Sequence, residues 1–175
     1  MIFTMENEFE VEKSKIQVLH LLVKNVHFCI DINNIAQIVQ LSRVEIVPNS
    51  PSYLAGLMNF AGKSIPLIDL SIRLGFKNTT PYALDTPVLL CSVDNQKACM
   101  IIDKIIGLSD IEPEALQMYE EFKTADSPFS AAVILDTGIS LLIDIKRVLE
   151  FSLTLRTNDF CLNTDLTHLS KNRAE

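Results

Sequence analysis

The chain has 175 residues, 48% of them hydrophobic, with a mean hydropathy of +0.25 and a net charge of −7, enough apolar material for one domain or two tightly fused small ones. That acidic balance repels phosphate backbones, which excludes nucleic acid as a partner and disfavours anionic membrane surfaces. No apolar run approaches the roughly 18–20 residues needed to cross a bilayer, so direct membrane insertion is excluded as well.

Residues 1–15 read as a polar N-terminal arm. It has no basic start and no long apolar stretch, so no signal peptide is expected. From Ile16 the pattern changes. "IQVLHLLV" and "VHFCIDI" are strand-like runs separated by Lys24-Asn25, a tight hairpin turn. The two-residue period puts Phe28, Ile30 and Ile32 on one face and His27, Cys29 and Asp31 on the other. "NIAQIVQL" fits a helical turn slightly better than a strand, and "SRVEIVP" is extended. "NSPSYLAG" carries helix signals: Ser50 as N-cap, Pro51 at the first helical position and Gly56 as a left-handed stop.

"LMNFA" and "SIPLI" read as two strands joined through Gly62, with Pro66 marking an edge or a bulge. Asp69 can cap a short helix, "LSIRL", that stops at Gly75. "KNTTPYALD" is a polar linker. "TPVLLCSV", a turn at Asp94-Asn95, "KACMIID" and "KIIGLSDI" make a further strand series, and "EPEAL" a helical turn. Residues 117–128 form a polar loop long enough to have a purpose of its own. "FSAAVIL" and "ISLLI" pair around Thr137-Gly138, and Asp144 can cap a last helix, "IKRVLEF". Residues 153–175 read as a polar C-terminal tail.

An internal echo runs through these elements. "PLIDLSIRL" and "LLIDIKRVL" align without gaps on Asp69 and Asp144, each preceded by a strand-Gly-strand hairpin. The first copy has one extra residue between glycine and aspartate, consistent with a bulge near Pro66. Two similar β units fit the length better than one large sheet, so the expected fold is mainly β with short helices near 51–55, 70–74 and 145–151.

Chemistry-bearing residues are sparse. His27, Cys29 and Asp31 are metal-ligating types on one strand face, but steps of about 6.6 Å are too long for a single ion. A partly exposed alternating face is the better reading. Cys29, Cys91, Cys99 and Cys161 form no C-x-x-C pair and read as reduced thiols of a cytoplasmic protein. Asp69 and Asp144 could be imagined as a catalytic pair, yet their matched strand–helix junctions favour capping. No nucleophile elbow, phosphate loop or zinc-protease motif occurs, so no catalytic residues, metal or cofactor are assigned.

"GLMNFAGKSIPLIDLSIRLG" (Gly56–Gly75) resembles the G-V-x-N-L-R-G and D-L-x-x-R-L-G segments of the CheW family of chemotaxis coupling proteins. "FCIDINNIAQIV", "MIIDKIIGLSDIEP" and "GISLLIDIKRVL" resemble further family segments in the same order. The resemblance implies two SH3-like five-stranded β-barrels around a shared core within residues 16–152. One barrel is expected over about 16–85 and the other over about 86–152, with the first strand a candidate for sharing between them. It implies a non-enzymatic cytoplasmic adaptor that joins a CheA-type histidine kinase to the tips of methyl-accepting chemoreceptors in membrane-associated arrays. The alternatives are an array controlling type IV pili and, in a different class, a small-molecule or metal-sensing barrel. It places partner contacts on Gln37, Val39, Gly56, Asn59 and Ala61, and gives Gly62, Pro66, Asp69, Gly75 and Asp144 structural roles. Two family hallmarks are missing together: the arginine of N-L-R-G is Ala61 and the glutamate of V-x-E-I is Gln37. If the family's two charges form a buried pair, losing one alone costs about 3–5 kcal/mol, whereas joint loss is nearly neutral.

Overall fold

The computed structural model describes residues 15–77, 81–124 and 126–154. The expected arm, apart from Lys15, and the tail beyond Thr154 lie outside the described residues, as do linker residues 78–80. In chain order the elements are β1 (Ile16–Val23), β2 (Val26–Asp31), β3 (Ile35–Gln40), β4 (Val44–Glu45), β5 (Leu54–Phe60), β6 (Lys63–Asp69) and α1 (Leu70–Arg73). There follow β7 (Pro87–Val93), β8 (Gln96–Ile101), β9 (Lys104–Ile111), β10 (Leu116–Gln117), β11 (Phe129–Leu135), β12 (Gly138–Ile143) and α2 (Ile145–Thr154).

Three hairpins turn on two residues that both have positive φ: Lys24-Asn25, Ala61-Gly62 and Asp94-Asn95. Such turns match the right-handed twist of the flanking strands, which is why short polar residues and glycine collect there. The turn at Lys24-Asn25 is also tied down, because the Lys24 amide donates to Asp103.

The strands form two sheets, in the orders β10-β11-β12-β2-β1-β9 and β3-β7-β8-β6-β5-β4. In each, five longer strands are accompanied by one two-residue strand. The outermost strands of each sheet are neighbours in sequence: Glu112–Ala115 joins β9 to β10, and Leu41–Arg43 joins β3 to β4. A connection of this length reaches at most about 18 Å. The edges of a flat six-stranded sheet stand about 24 Å apart. Each sheet therefore curls on itself, giving two small barrels. The expected division near residue 85 does not match this pairing. β1 and β2 belong with β9–β12, while β7 and β8 complete the sheet of β3–β6. Each half of the chain thus contributes strands to both barrels, which makes them one interlocked unit.

This interlocking buries the central strands on both faces. Leu19, Leu21, Phe28, Ile30, Leu89, Cys91, Met100, Ile143 and Val148 form the core shared between the sheets. Met58, Ile65, Leu67, Val88, Leu90 and Cys99 fill one barrel, and Val18, Cys29, Ile111 and Val133 fill the other. "PVLLCSV" is a continuous apolar run because alternate residues serve different cores.

Several expectations are corrected. "IAQIVQ" is the strand β3, paired antiparallel with β7, because tertiary pairing overrides a weak helical period. The helical turn lies just before it, at Ile32–Asn34, capped by Asp31. The segment 51–53 is a turn leading into β5 and holds no helix. Gly56 has φ +149, yet it lies within β5 rather than at a helix end. The bulge is not at Pro66 but on the facing strand, between Leu54 and Gly56. Pro66 stands opposite Leu57, one residue before β6 begins pairing with β8, so its missing N–H breaks no ladder bond on that side. On the His27–Cys29–Asp31 face, Cys29 is fully buried in a barrel while His27 and Asp31 are half-buried, so the face is partly exposed only at its ends.

Candidate functional site

The five residues expected to contact partners are all carried by the sheet of β3–β8, but the structure gives them different tasks. Gln37 and Ala61 are exposed, one on β3 and the other in the β5–β6 turn. Asn59 is also exposed, and its Oδ1 accepts from the Gly62 amide at 3.1 Å, which braces that turn. Val39 is half-buried and packs on the barrel core. Gly56 is buried, and a Cβ there would stand 2.4 Å from the Glu45 carbonyl oxygen and 2.6 Å from Val44. Glycine is what lets β4 lie against β5. Because Gln37 and Ala61 are exposed, the buried-pair cost does not apply to this sheet, and an ion pair between such positions is worth about 0–1 kcal/mol.

Among the residues expected to be structural, Asp69, Gly75 and Asp144 stand at helix ends. Asp69 is buried and caps α1 through the Ile72 amide, while the Ser71 and Tyr82 hydroxyls donate to its two oxygens. Gly75, at φ +89, ends α1: its amide donates to the Ile72 carbonyl and that of Phe76 to the Ser71 carbonyl. This pattern needs a left-handed residue at Gly75. Asp144 accepts from the Arg147 amide and pairs with the Arg147 guanidinium at 3.3 Å. The same guanidinium donates to the Phe122 and Phe129 carbonyls. Part of the long polar loop is thereby anchored, with Phe122 edge-on to both Tyr119 and Phe129.

Two exposed apolar side chains on this sheet were not singled out from sequence. Ile38 is 48% exposed on β3, and Ile46, just after β4, is 83% exposed. The helical reading of "IAQIVQ" hid Ile38. In the strand, a register shift between Ile35 and Gln37 breaks the two-residue period: Ile35 packs on the shared core, Val39 in the barrel, and Ile38 stands opposite Leu89.

The other barrel holds His20, His27 and Cys29. His20 is buried, its Nε2 lies 2.7 Å from Ser109 Oγ, and its ring is tilted against that of His27 with 5.1 Å between centroids. A histidine beside a serine is the first step of a nucleophile–base pair, but the second step is missing. His20 Nδ1 has no partner, so no carboxylate orients the base. Burial pushes the Cys29 thiol up to about 11, Cys91 to about 12 and Cys99 to about 11, which keeps all three protonated and inert. No group of three metal-ligating side chains stands together among the described residues. No helix there is long and apolar enough to cross a membrane.

Comparison with known proteins supports a scaffold rather than a catalyst. The crystal structure of the scaffolding protein TtCheW from Thermoanaerobacter tengcongensis superposes with a TM-score of 0.67 at 21% identity, covering 74% of this chain and 89% of that one. A probable chemotaxis protein CheW from Rhizobium etli is 25% identical over 121 residues, 68% of this chain and 77% of its own length. The chemotaxis protein CheW of Helicobacter pylori is 29% identical over 109 residues, 59% of this chain and 66% of its own. The CheW-like domain model matches residues 17–152, which takes in both barrels. The chain therefore belongs to the CheW-like domain family and is a non-enzymatic adaptor of chemotaxis signalling.

Proposed function

We propose that this adaptor couples a CheA-type histidine kinase to the cytoplasmic tips of methyl-accepting chemoreceptors, which recruit it to membrane-associated arrays. The family match across residues 17–152 carries the reading. One contact surface is assigned to the exposed parts of β3 and the β5–β6 hairpin, at Gln37, Ile38, Asn59 and Ala61. Exposed apolar side chains such as Ile38 and Ile46 gain by being covered, and few residues dominate an interface of this kind. Val39 and Gly56 act beneath this surface by holding β3 and β4 in place. The missing charges at positions 37 and 61 leave it more neutral than the family pattern, so apolar contact carries more of the binding.

The test is co-purification from the source organism. Wild-type protein is expected to recover a histidine kinase and a chemoreceptor. A pilus-associated set of proteins would identify the other kind of array, and recovery of neither would reject the coupling role. Ile38→Glu is expected to reduce recovery at least tenfold with an unchanged melting temperature. Full recovery with folded Ile38→Glu and Ile46→Glu proteins moves the surface to the other sheet.

A further inference from the structure

Within the described residues, two buried histidine nitrogens without a hydrogen-bond partner meet in one barrel. They are His20 Nδ1 and His27 Nε2, and beside them Ser140 is bonded to the Cys29 thiol. His20 stands opposite Cys29 in the β1–β2 ladder, and Ser140 precedes Leu141, which pairs with Phe28. Native proteins seldom leave such atoms unpaired, and a pair of them asks for an explanation.

We propose that His20, packed against the His27 ring, is an acid-sensitive latch, and that a proton taken up by the His20 ring as pH falls below about 6.5 loosens β1 from β2 and β9. The argument holds for either tautomer. A protonated imidazole carries N–H at both nitrogens. On His20, Nε2 can use Ser109, but Nδ1–H points at no acceptor. The resulting cation is also held against a second imidazole only 5.1 Å away. Neutral rings tolerate this packing, whereas a cation does not.

Among the described residues, nothing packed against the pair offers compensation. β2 presents Cys29, whose thiol stays protonated, β9 presents Ser109 and β12 presents Ser140. Asp31 lies further along β2, opposite Val18, and accepts from Asn33. Asp110 on β9 stands opposite Gln17 and accepts from it. Lys104, opposite Leu22, adds positive charge. β11 contributes Val133, which is apolar. In line with this geometry, burial and then His27 hold the His20 imidazole below its ordinary value. The sign follows. With a lowered folded-state value, the unfolded chain binds more protons below about pH 6.5, so stability is complete above that value and is lost as pH falls toward the folded value.

Two measurements test the latch. In the wild-type protein, proton NMR should show the His20 ring titrating below the ordinary value of about 6.5. Thermal unfolding at pH 7.5 and 5.5 is then compared between wild type and a His20→Gln, His27→Gln double variant. The glutamine amide at position 20 can keep the bond to Ser109, and carboxylate titration contributes equally to both proteins. The wild-type melting temperature should fall several degrees more than that of the variant. Amide exchange in β1 and β9, corrected for intrinsic rates, should accelerate at pH 5.5 only in the wild type. A His20 midpoint at or above 6.5, or equal acid sensitivity of the two proteins, would overturn the proposal. If the double variant does not fold, the NMR midpoint and the wild-type exchange profile decide the question alone.

Discussion

The unit β4-β5-β6-α1 and the unit β10-β11-β12-α2 follow the same path with different residues. Val44 and Glu45 pair with Met58 and Leu57, as Leu116 and Gln117 pair with Val133 and Ala132. Each hairpin is bulged at its first strand, between Leu54 and Gly56 and between Phe129 and Ala131. Each second strand pairs parallel with a strand from elsewhere in the chain and ends at a capping aspartate. Gly56 and Ala131 therefore occupy equivalent positions. Only Gly56 has positive φ and a carbonyl where its Cβ would be. The bulge itself does not demand glycine. The close passage of β4 over β5 does.

The largest expected effect breaks this equivalence. Gly56→Ala combines a backbone strain of about 1–3 kcal/mol with overpacking of about 1–3 kcal/mol against a main-chain oxygen. A loss near 3–5 kcal/mol lowers the melting temperature by roughly 6–20 °C for a chain of this size. Ala131→Gly costs only about 1 kcal/mol, the ordinary penalty for glycine in a strand. Differential scanning calorimetry of the two variants checks the contrast, and equal losses would mean that the two bulges are sterically alike.

The second contrast lies in the capping aspartates. Asp69 is buried and receives two hydroxyl donors besides the amide of its helix. Asp144 is half-buried and shares its charge with Arg147 at the surface. Asp69→Ala strands those hydroxyls and should cost about 3 kcal/mol, because hydrogen bonds to a charged group are worth about 1.5–3 kcal/mol each. Asp144→Ala should cost about 1 kcal/mol, as for an ordinary cap. Urea unfolding at constant m-value measures both.

The echo on Asp69 and Asp144 was legible because capping and turn chemistry are local. Asp69, Gly75, Asp144 and the turns at Lys24-Asn25 and Asp94-Asn95 could be read from their own neighbourhoods. The apparent extra residue in the first copy was an artefact of aligning Gly62 with Gly138. By register both loops have two residues, 61–62 and 136–137, so Gly62 corresponds to Thr137. What sequence did not show is pairing. The crossing of β7 and β8 into the sheet of β3–β6 depends on contacts between residues far apart in the chain, and no local signal encodes it. Gly56 failed for the same reason: its partner, Glu45, is brought there by tertiary structure. Of the candidate surface, Gln37, Asn59 and Ala61 proved exposed, and Ile38 was hidden by the wrong period.

The turn itself separates the two units by a smaller amount. Ala61 holds φ +49 without the side-chain hydrogen bonding that makes asparagine tolerant of that region. Ala61→Asn restores the Asn-Gly pair favoured by this turn and should stabilise by about 0.5–1 kcal/mol. The turn at Asp136-Thr137 has no positive φ at either residue, with Gly138 taking it instead. Thr137→Asn should therefore bring no gain, and a gain there of equal size in thermal unfolding would show that the two turns are interchangeable.

The smallest expected effect concerns the missing charges. Restoring them as Gln37→Glu and Ala61→Arg places both in solvent, on β3 and on the β5–β6 turn. Arginine at position 61 still has to adopt the left-handed backbone that alanine holds, so the single change should be neutral or slightly destabilising. Gln37→Glu removes no buried contact and should lie within about 0.5 kcal/mol of wild type. Any favourable coupling in the double-mutant cycle should stay below about 1 kcal/mol and shrink with added salt, as expected for screened surface charges. A salt-insensitive coupling of about 3 kcal/mol or more would mean that the two side chains meet in a desolvated site, and would return the paired loss to the class of buried ion pairs. Binding adds an independent readout. If the neutral surface relies on Ile38, restoring the charges should change recovery of the kinase or the receptor far less than Ile38→Glu does.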